Sequence, residues 1–381
     1  MTNSVPNMKN VVMLGITISG ISLVSGFINC SGGNSHADAS PDTDTYTDTD
    51  TDTDADTDSD SDTDTIDWGD PIPCVNEPLD GEVCIPGGKY VMGCVPGDVE
   101  CTDEEKPLVE VTLSPFFVDV HEVTYDQLIP WLNTLYDGYV RAGGMIMTPL
   151  PDEKWIWANR GSPVISDPVG SDFKWYESGD PLPDDVEEEW FCWMRDPDMA
   201  ANGLGWWGAK LYCESLGKSL PTEAQWEAAA RGQTLNEYPC GSDLEPCWYG
   251  PYDCMLGGDC AWEQCFDPCG IPFTGHYDEG MGCWSPYGVA DMIGNASEWV
   301  LDWMDDGDDH SACAPSCSDP MPTEGAKPIL KGGGVVTGSE DIRISARYRL
   351  NGDSGNQGTG FRCVRKDEPY TLPDSGTDGG K

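Results

Sequence analysis

The feature that most limits how this chain can fold is an acidic tract near its N-terminus. From Pro41 to Asp70 the sequence consists almost wholly of Asp-Thr dipeptides. Such a segment has almost no apolar surface to bury and its like charges repel, so we expect residues 31–70 to be a disordered, extended linker. Loose calcium binding by the Asp ladder is the alternative, but the tract lacks the glycine turn and closing glutamate of a defined calcium loop. The folded part must therefore follow the linker.

The region after the linker has the composition of one globular domain, from 71 to 366, followed by a polar tail at 367–381. The 381-residue chain is 38% hydrophobic and contains 15 Trp, which is enough to build a core. Its 45 Gly and 30 Pro predict a loop-rich domain with little regular secondary structure. A formal net charge of -48 argues against nucleic acid as a partner and favours cations and basic surfaces.

The first thirty or so residues resemble an export signal. Lys9 precedes an apolar run from Val11 to Ile28, and residues 1–30 end in a stretch similar to a bacterial lipoprotein box, with Cys30 as the residue that would be lipidated. The run also overlaps the lower length limit of a spanning helix, so an uncleaved membrane anchor is the alternative. We expect an exported protein with an N-terminal membrane anchor: a cell-surface or outer-membrane lipoprotein, otherwise periplasmic or secreted.

The cysteines of the domain favour disulfides. With Cys30 set aside, the 17 Cys of the chain leave an even number in an oxidising compartment. Zinc is the alternative for a cysteine cluster near 240–283. The cluster lacks paired CxxC units, so we expect a loop that is cross-linked by disulfides. The clustered residues are Cys240, Cys247, Cys254, Cys260, Cys265, Cys269 and Cys283.

Periodicity predicts a few short elements in the domain. Alternating apolar residues predict strands at Gly88–Gly93, Leu108–Leu113 and Phe116–Val120. Helices are predicted from near Thr124, at Gly208–Ser215 and at Glu223–Arg231, the last with Thr222 as its N-cap.

Four separated stretches together resemble the formylglycine-generating enzyme, or sulfatase-modifying factor, family. They are IPGGKYVMG at Ile85–Gly93 with FFVDVHEVT at Phe116–Thr124, the stretch from Ala209 to Gly232 that includes LPTEAQWE, YGVADMIGNASEWVLDW at Tyr287–Trp303, and KGGG at Lys331–Gly334 with GFRC at Gly360–Cys363. The resemblance spans about 85–365. It implies an α+β domain with the C-type-lectin-like fold of the sulfatase-modifying-factor type, carrying a Cys-rich insertion near 240–283.

The resemblance also implies a calcium site and a disulfide. In the family, calcium is held at the positions that here are Asp291, Gly294, Ala296 and Glu298. Hard carboxylate and carbonyl oxygens suit calcium. The alternative is that Asp291 caps a turn and Glu298 pairs with an arginine. The family disulfide falls on Cys213 and Cys363.

The copper site of the family's enzymes is missing its cysteines. Those enzymes bind copper through two thiolates after the KGGS motif, because Cu(I) prefers soft ligands. The segment from Lys331 to Arg343 contains no Cys: Thr337 stands at the first position, the second falls between Ser339 and Ile342, and Gly334 replaces a serine that lines the oxygen pocket. We therefore expect no copper and no enzymatic activity.

These observations favour a calcium-stabilised binding or interaction domain for a peptide, glycan or protein outside the cell. Candidate groove residues are Trp299, Arg343, Arg347 and Arg349, with Trp303 and Arg362 nearby, because Arg and Trp are enriched at interaction hot spots. Internal pairing with carboxylates is the alternative for the arginines.

Two other function classes stay open. One is a formylglycine-generating or related oxidative protein-modifying enzyme that uses a different metal arrangement. The other is a spacer-mounted surface protein without a small ligand. Four scattered histidines, and no Ser-His-Asp order, phosphate-binding glycine loop or HExxH motif, favour no further catalytic class.

Overall fold

The computed structural model describes residues 66–134, 140–142, 145–149, 155–158, 200–242, 283–334, 337–338, 341–352 and 358–368. All of them belong to one compact unit, Asp64–Lys381. The export segment, the linker up to residue 65, most of the Cys-rich insertion and the tail from 369 lie outside the described residues, so those assignments stay predictions. Within the described ranges, no helix is both long and apolar enough to span a membrane.

The domain consists of many short strands and three helices in its described part. The strands are β1 (Glu82–Ile85), β2 (Gly88–Met92), β3 (Val109–Leu113), β4 (Phe116–Asp119), β5 (Val140–Ala142), β6 (Met145–Pro149), β7 (Trp155–Ala158), β8 (Ser297–Met304), β9 (Ser316–Ser318), β10 (Lys327–Lys331), β11 (Tyr348–Arg349), β12 (Thr359–Gly360) and β13 (Val364–Lys366). The helices are α1 (Tyr125–Thr134), α2 (Trp206–Ser215) and α3 (Glu223–Arg231). Short 3₁₀ turns lie at Asp103–Glu105 and His310–Cys313.

The strands form small sheets. One has the order β11-β10-β8-β12, in which β8 is antiparallel to β10 and parallel to β12. The others have the orders β1-β4-β13, β2-β3-β9 and β5-β6-β7. This is the loop-rich α+β architecture that the sequence predicts.

Local sequence explains where the predicted elements form. In β3 the apolar residues Val109, Val111 and Leu113 are buried while the polar residues between them are partly exposed, as expected for a strand with one covered face. Helix α3 begins with a capping box: the Thr222 hydroxyl accepts from the Gln225 N–H at 3.1 Å, and the Gln225 side chain accepts from the Thr222 N–H at 3.0 Å. The predicted strands and helices are present with boundaries shifted by a residue or two.

Strand β8 separates two apolar clusters. Trp299 packs with α1, α2 and Phe361 on one side. Val300, the next residue, packs with α3 and strands β1 to β4 on the other. Because successive strand residues point to opposite faces, one strand serves both clusters.

Every cysteine that the structure describes is in a disulfide. The bonds are Cys74–Cys84, Cys94–Cys101, Cys213–Cys363, Cys240–Cys283 and Cys313–Cys317. The bond that the family resemblance implies, Cys213–Cys363, joins α2 to the segment before β13 across a sequence separation of 150. Cys240–Cys283 closes the base of the Cys-rich insertion.

Candidate functional site

Glu298, at the start of β8, forms a buried ion pair with Arg362. Arg362 donates from Nε to Glu298 Oε2 at 2.8 Å and from its NH2 group to Oε1 at 2.7 Å. Trp226 Nε1 donates to the same Oε2 at 3.0 Å. A two-pronged guanidinium contact is among the strongest hydrogen-bonded pairs in proteins. Both oxygens of Glu298 are thus engaged, which is the arginine pairing considered as an alternative to calcium.

The rest of the Arg362 guanidinium binds backbone carbonyls. It donates to the carbonyl oxygens of Asp119 at 3.0 Å, Val120 at 2.8 Å and Ala290 at 2.9 Å. Burial alone would lower its pKa, but the Glu298 carboxylate outweighs this and raises the pKa above its ordinary value. Arg362 therefore stays charged and joins the end of β4 to the segment before β8.

A second carboxylate, Glu122, lies beside this pair. Its Oε2 is 3.8 Å from Arg362. Its Oε1 accepts from Asn295 Nδ2 at 3.0 Å and from the Ala296 N–H at 3.4 Å. Glu122 Oε2 and Asn295 Oδ1 are buried without a hydrogen-bond partner. Burial, followed by the charge of Asp291, raises the pKa of Glu122 well above its ordinary value.

The backbone of the 291–295 segment is unusual. Asp291 has φ 54° and Asn295 φ 57°, in the left-handed region that few non-glycine residues adopt. Gly294 between them has φ 75°. Asp291 Oδ2 is also 3.7 Å from His121 Nδ1. Backbone of this kind clusters at ligand-binding positions, because the surrounding structure must compensate its cost.

The residues present fit calcium, with one change to the expected set. Glu298 is hydrogen-bonded to Arg362, whereas Glu122 Oε2, which is 3.8 Å from Arg362, and Asn295 Oδ1 accept no hydrogen bond. Asp291 acts on Glu122 electrostatically, so negative charge is concentrated beside these oxygens. Carboxylate and amide oxygens are the ligands that calcium prefers. These residue types are compatible with a calcium site that would include Asp291, Asn295 and Glu122.

Gly294 and Ala296, two residues of the expected calcium set, could offer calcium only their backbone carbonyl oxygens. The Gly294 N–H donates to the carbonyl of Gly332 at 2.9 Å, and the Ala296 N–H points at Glu122. Calcium coordination by the carbonyls of Gly294 and Ala296 stays a prediction.

Thr337, which the family resemblance matches to the first copper cysteine, closes a turn with its hydroxyl. Thr337 Oγ1 accepts from the Gly334 N–H at 2.7 Å and donates to the Gly334 carbonyl at 2.9 Å. A Cβ on Gly334 would lie 2.9 Å from Ser297 N and 3.0 Å from Asn295 O. The backbone thus approaches too closely for a serine here without rearrangement, and the turn offers oxygens where copper needs thiolates.

Of the four candidate groove residues, Trp299 and the side chains of Arg343 and Arg347 are buried, whereas Arg349 is partly exposed. Trp299 is fully buried and donates to the Leu204 carbonyl at 2.9 Å. The arginines pair internally, as follows. Arg343 contacts Glu105 at 2.7 Å and Asp98 at 2.8 Å, Arg347 contacts Glu223 at 2.9 Å, and Arg349 contacts Glu104 at 2.5 Å. These contacts are the internal pairing with carboxylates that the sequence left open as the alternative, and for the buried Arg343 and Arg347 they offset the cost of burying a charge.

A buried cluster on α3 has metal-binding residue types but is occupied by the chain's own cations. Glu223, Glu227 and His310 bring their ligand atoms within 4.8 Å of one another. Lys331 Nζ contacts Glu223 at 3.3 Å and Glu227 at 2.8 Å, and Arg231 contacts Glu227 at 3.1 Å. The carboxylates are therefore neutralised, and the cluster is an internal ion-pair network.

Sequence reasoning missed a cavity beside the β4–α1 connection. Its volume is about 580 Å³. It is lined by Asp80, Gly81, Asp119, His121, Glu122, Val123, Thr124, Asp126, Gln127, Tyr212, Leu216 and Lys218. Three separate segments supply these residues, and no local motif marks them as neighbours.

The described residues form a loop-rich α+β domain with the C-type-lectin-like fold of the sulfatase-modifying-factor type. The family model for the sulfatase-modifying factor enzyme 1-like domain matches residues 70–367. The chain belongs to this family.

Its relatives include proteins with different activities. It is 31% identical over 288 residues to the serine/threonine-protein kinase pkn1 of Chlamydia pneumoniae, a match that covers 74% of this chain but 37% of the kinase. It is 29% identical over 317 residues to the formylglycine-generating enzyme of Thermomonospora curvata, covering 79% of this chain and 98% of that enzyme. PvdO from Pseudomonas aeruginosa shares the fold with a TM-score of 0.50 at 21% identity, covering 79% of this chain and 100% of PvdO.

Proposed function

We propose that this chain is an exported, surface-tethered domain that binds a partner and does not carry out the family's copper-dependent oxidation. The observation that carries the proposal is Thr337. It stands where the family's first copper thiolate stands, and its hydroxyl closes the turn to Gly334 through bonds of 2.7 and 2.9 Å. A hydroxyl in two hydrogen bonds is a poor ligand for Cu(I).

The state of the cysteines supports the same proposal. In the described ranges each cysteine is oxidised to a disulfide, so these residues supply no thiolate for copper. Disulfides at these positions also agree with an exported protein.

The second part of the proposal is a calcium ion bound by Asp291, Asn295 and Glu122. Calcium would add positive charge beside Glu122 and Asp291 and contact Glu122 Oε2 and Asn295 Oδ1, which accept no hydrogen bond. Its role would be structural, since it would hold the left-handed segment 291–295 against the end of β4.

The partner in this proposal is a peptide, glycan or protein outside the cell. The export segment with Cys30 and the acidic linker would hold the domain away from a membrane, at the cell surface or in the periplasm. The net charge of -48 favours partners with basic surfaces and disfavours nucleic acid.

Metal analysis with thiol counting on the full chain, purified under oxidising conditions, tests the proposal. After incubation with Cu(I), the chain is assayed for aldehyde formation on a Cys-containing peptide, with a formylglycine-generating enzyme as the positive control. We expect bound calcium, no retained copper and no aldehyde. Stoichiometric copper together with aldehyde would overturn the proposal and favour the oxidative enzyme.

A further inference from the structure

The two sulfurs of the Cys94–Cys101 disulfide lie in different electrostatic environments. Arg343 donates from Nη1 to Cys101 Sγ at 3.6 Å. Cys94 Sγ instead lies near two backbone carbonyl oxygens, that of Val95 at 3.8 Å and that of Asp98 at 3.9 Å. A positive charge is therefore adjacent to one sulfur, and partial negative charges are adjacent to the other.

The guanidinium of Arg343 is charged and held in place by several acceptors. It contacts Glu105 at 2.7 Å and Asp98 at 2.8 Å, and it donates to the Glu100 carbonyl at 3.2 Å. Burial alone would lower its pKa, but the hydrogen bond and charge of Glu105, followed by those of Asp98, raise the pKa above its ordinary value. A neighbouring cation stabilises a thiolate relative to the thiol, so Cys101 is the better leaving group of the two cysteines.

The loop that this disulfide closes is short and mostly exposed. Its sequence separation is 7, and Val99 is 88% exposed. Gly97 and Glu100 are also exposed, and both cysteines of the bond are partly exposed. Thiol reactivity follows exposure as well as charge. The bond is therefore open to an external thiol in a way that the fully buried Cys213–Cys363 bond is not.

We propose that Cys94–Cys101 is a thiol–disulfide exchange site at which an external thiolate attacks Cys94 and Cys101 leaves. The attacking thiol first releases its proton to solvent. A bond then forms between the external sulfur and Cys94 Sγ while the Cys94–Cys101 bond breaks, and the electron pair of the broken bond goes to Cys101 as a thiolate beside Arg343. The external thiol is oxidised and Cys101 is reduced, so no other oxidant or reductant is needed. This reaction goes beyond the proposed binding function and does not depend on it.

Exchange would also change the contacts of Arg343. Two carboxylates, those of Asp98 and Glu105, share its guanidinium in the oxidised form. A thiolate at Cys101 would be a third anion beside one cation, which is unfavourable. Because the opened loop no longer fixes Asp98, that carboxylate can move to solvent and leave its place on Arg343 to the thiolate.

Reaction of the full chain with glutathione, and separately with a short peptide that contains one cysteine, tests this inference. The reaction is quenched with acid, the remaining thiols are alkylated, and mass spectrometry locates each group. We expect the added thiol on Cys94 and the alkyl group on Cys101. The probe that reacts faster at Cys94 assigns the exchange to small thiols or to protein thiols. The added thiol on Cys101 would overturn the proposal, because it would mean that Cys94 is the leaving group.

The Cys74–Cys84 disulfide is a matched control in the same chain. Its sequence separation is 10 and its cysteines are partly exposed, but Cys74 Sγ lies near the carbonyl oxygens of Ile85 at 3.9 Å and Phe116 at 3.7 Å. We expect the 94–101 bond to react at least about tenfold faster, because its leaving sulfur contacts a guanidinium. An equal or slower rate overturns the proposal.

Two arginine variants separate this contact from a general charge effect. Arg343→Gln should slow exchange at Cys94 about tenfold. Arg349→Gln removes a guanidinium that pairs with Glu104, and it should leave the rate unchanged. An unchanged rate in Arg343→Gln, or an equal loss in both variants, would refute the role of Arg343.

The buried Cys213–Cys363 bond reports whether each variant is folded. Both cysteines are fully buried, so this bond should stay unreacted in a folded chain. If it reacts in Arg343→Gln, that variant has unfolded. The wild-type rates at Cys94–Cys101 and Cys74–Cys84 then decide the proposal by themselves.

Discussion

The Cys213–Cys363 disulfide should contribute more to stability than any short-range bond in the domain. It closes a loop with a sequence separation of 150, and both cysteines are fully buried. In the chain-entropy model, a cross-link over that length lowers the entropy of the unfolded chain by an amount equivalent to about 5 kcal/mol. The variant Cys213→Ala/Cys363→Ala removes it.

The Cys313–Cys317 bond provides an internal control. Its sequence separation is 4, and its cysteines lie partly exposed around a 3₁₀ turn. The same model gives about 2 kcal/mol for this loop. The paired variant Cys313→Ala/Cys317→Ala should therefore cost about 3 kcal/mol less than the long-loop variant.

Urea unfolding of the full chain under oxidising conditions, followed by tryptophan fluorescence, measures both losses on one scale. Free thiols are counted in each variant to establish that the other bonds are intact. The reasoning would be refuted by equal losses in the two variants, or by a greater loss from the short loop. Either result would mean that local packing, and not loop closure, determines how much each bond stabilises the domain.

Two further predictions concern buried carboxylates. Burial and the charge of Glu223 raise the pKa of Asp302 to about 6, so the folded state binds its proton more tightly and stability should fall by about 2 kcal/mol as pH rises from 4 to 7. Asp302→Asn should remove this part of the pH dependence, and an unchanged slope in urea unfolding would contradict it. Glu122→Gln should abolish the rise in melting temperature that calcium causes after chelation, and a full calcium response in this variant would exclude Glu122 as a ligand. Glu298→Gln should lower the melting temperature with or without calcium, because Arg362 loses its partner.

Much of the fold could be predicted from sequence because its signals are local. The alternation in β3, the capping box at Thr222 and the apolar pattern of α3 involve residues within a few positions of one another. The motif order around Gly294 and Lys331 predicts the family in the same way. The absence of cysteine at Thr337 is likewise plain from the sequence.

The candidate site was only partly predictable, because its chemistry depends on distant partners. Calcium binding by Asp291 and Glu298 stays a prediction, and the contact of Glu122 with Asn295 was missed because the two residues are 173 positions apart. Between a groove role and internal pairing, the two alternatives for Arg343, the sequence could not decide for the same reason: its partner Glu105 lies 238 residues away in sequence.

The sequence by itself thus determined the main elements, the family and the absence of cysteine between Lys331 and Arg343. Only the tertiary structure decided which carboxylates accept hydrogen bonds from arginine, and where a cavity forms. The physical reason is that the energy of a charge depends on its burial and on the groups within a few ångströms of it. Those neighbours come from segments that the chain brings together only when it folds.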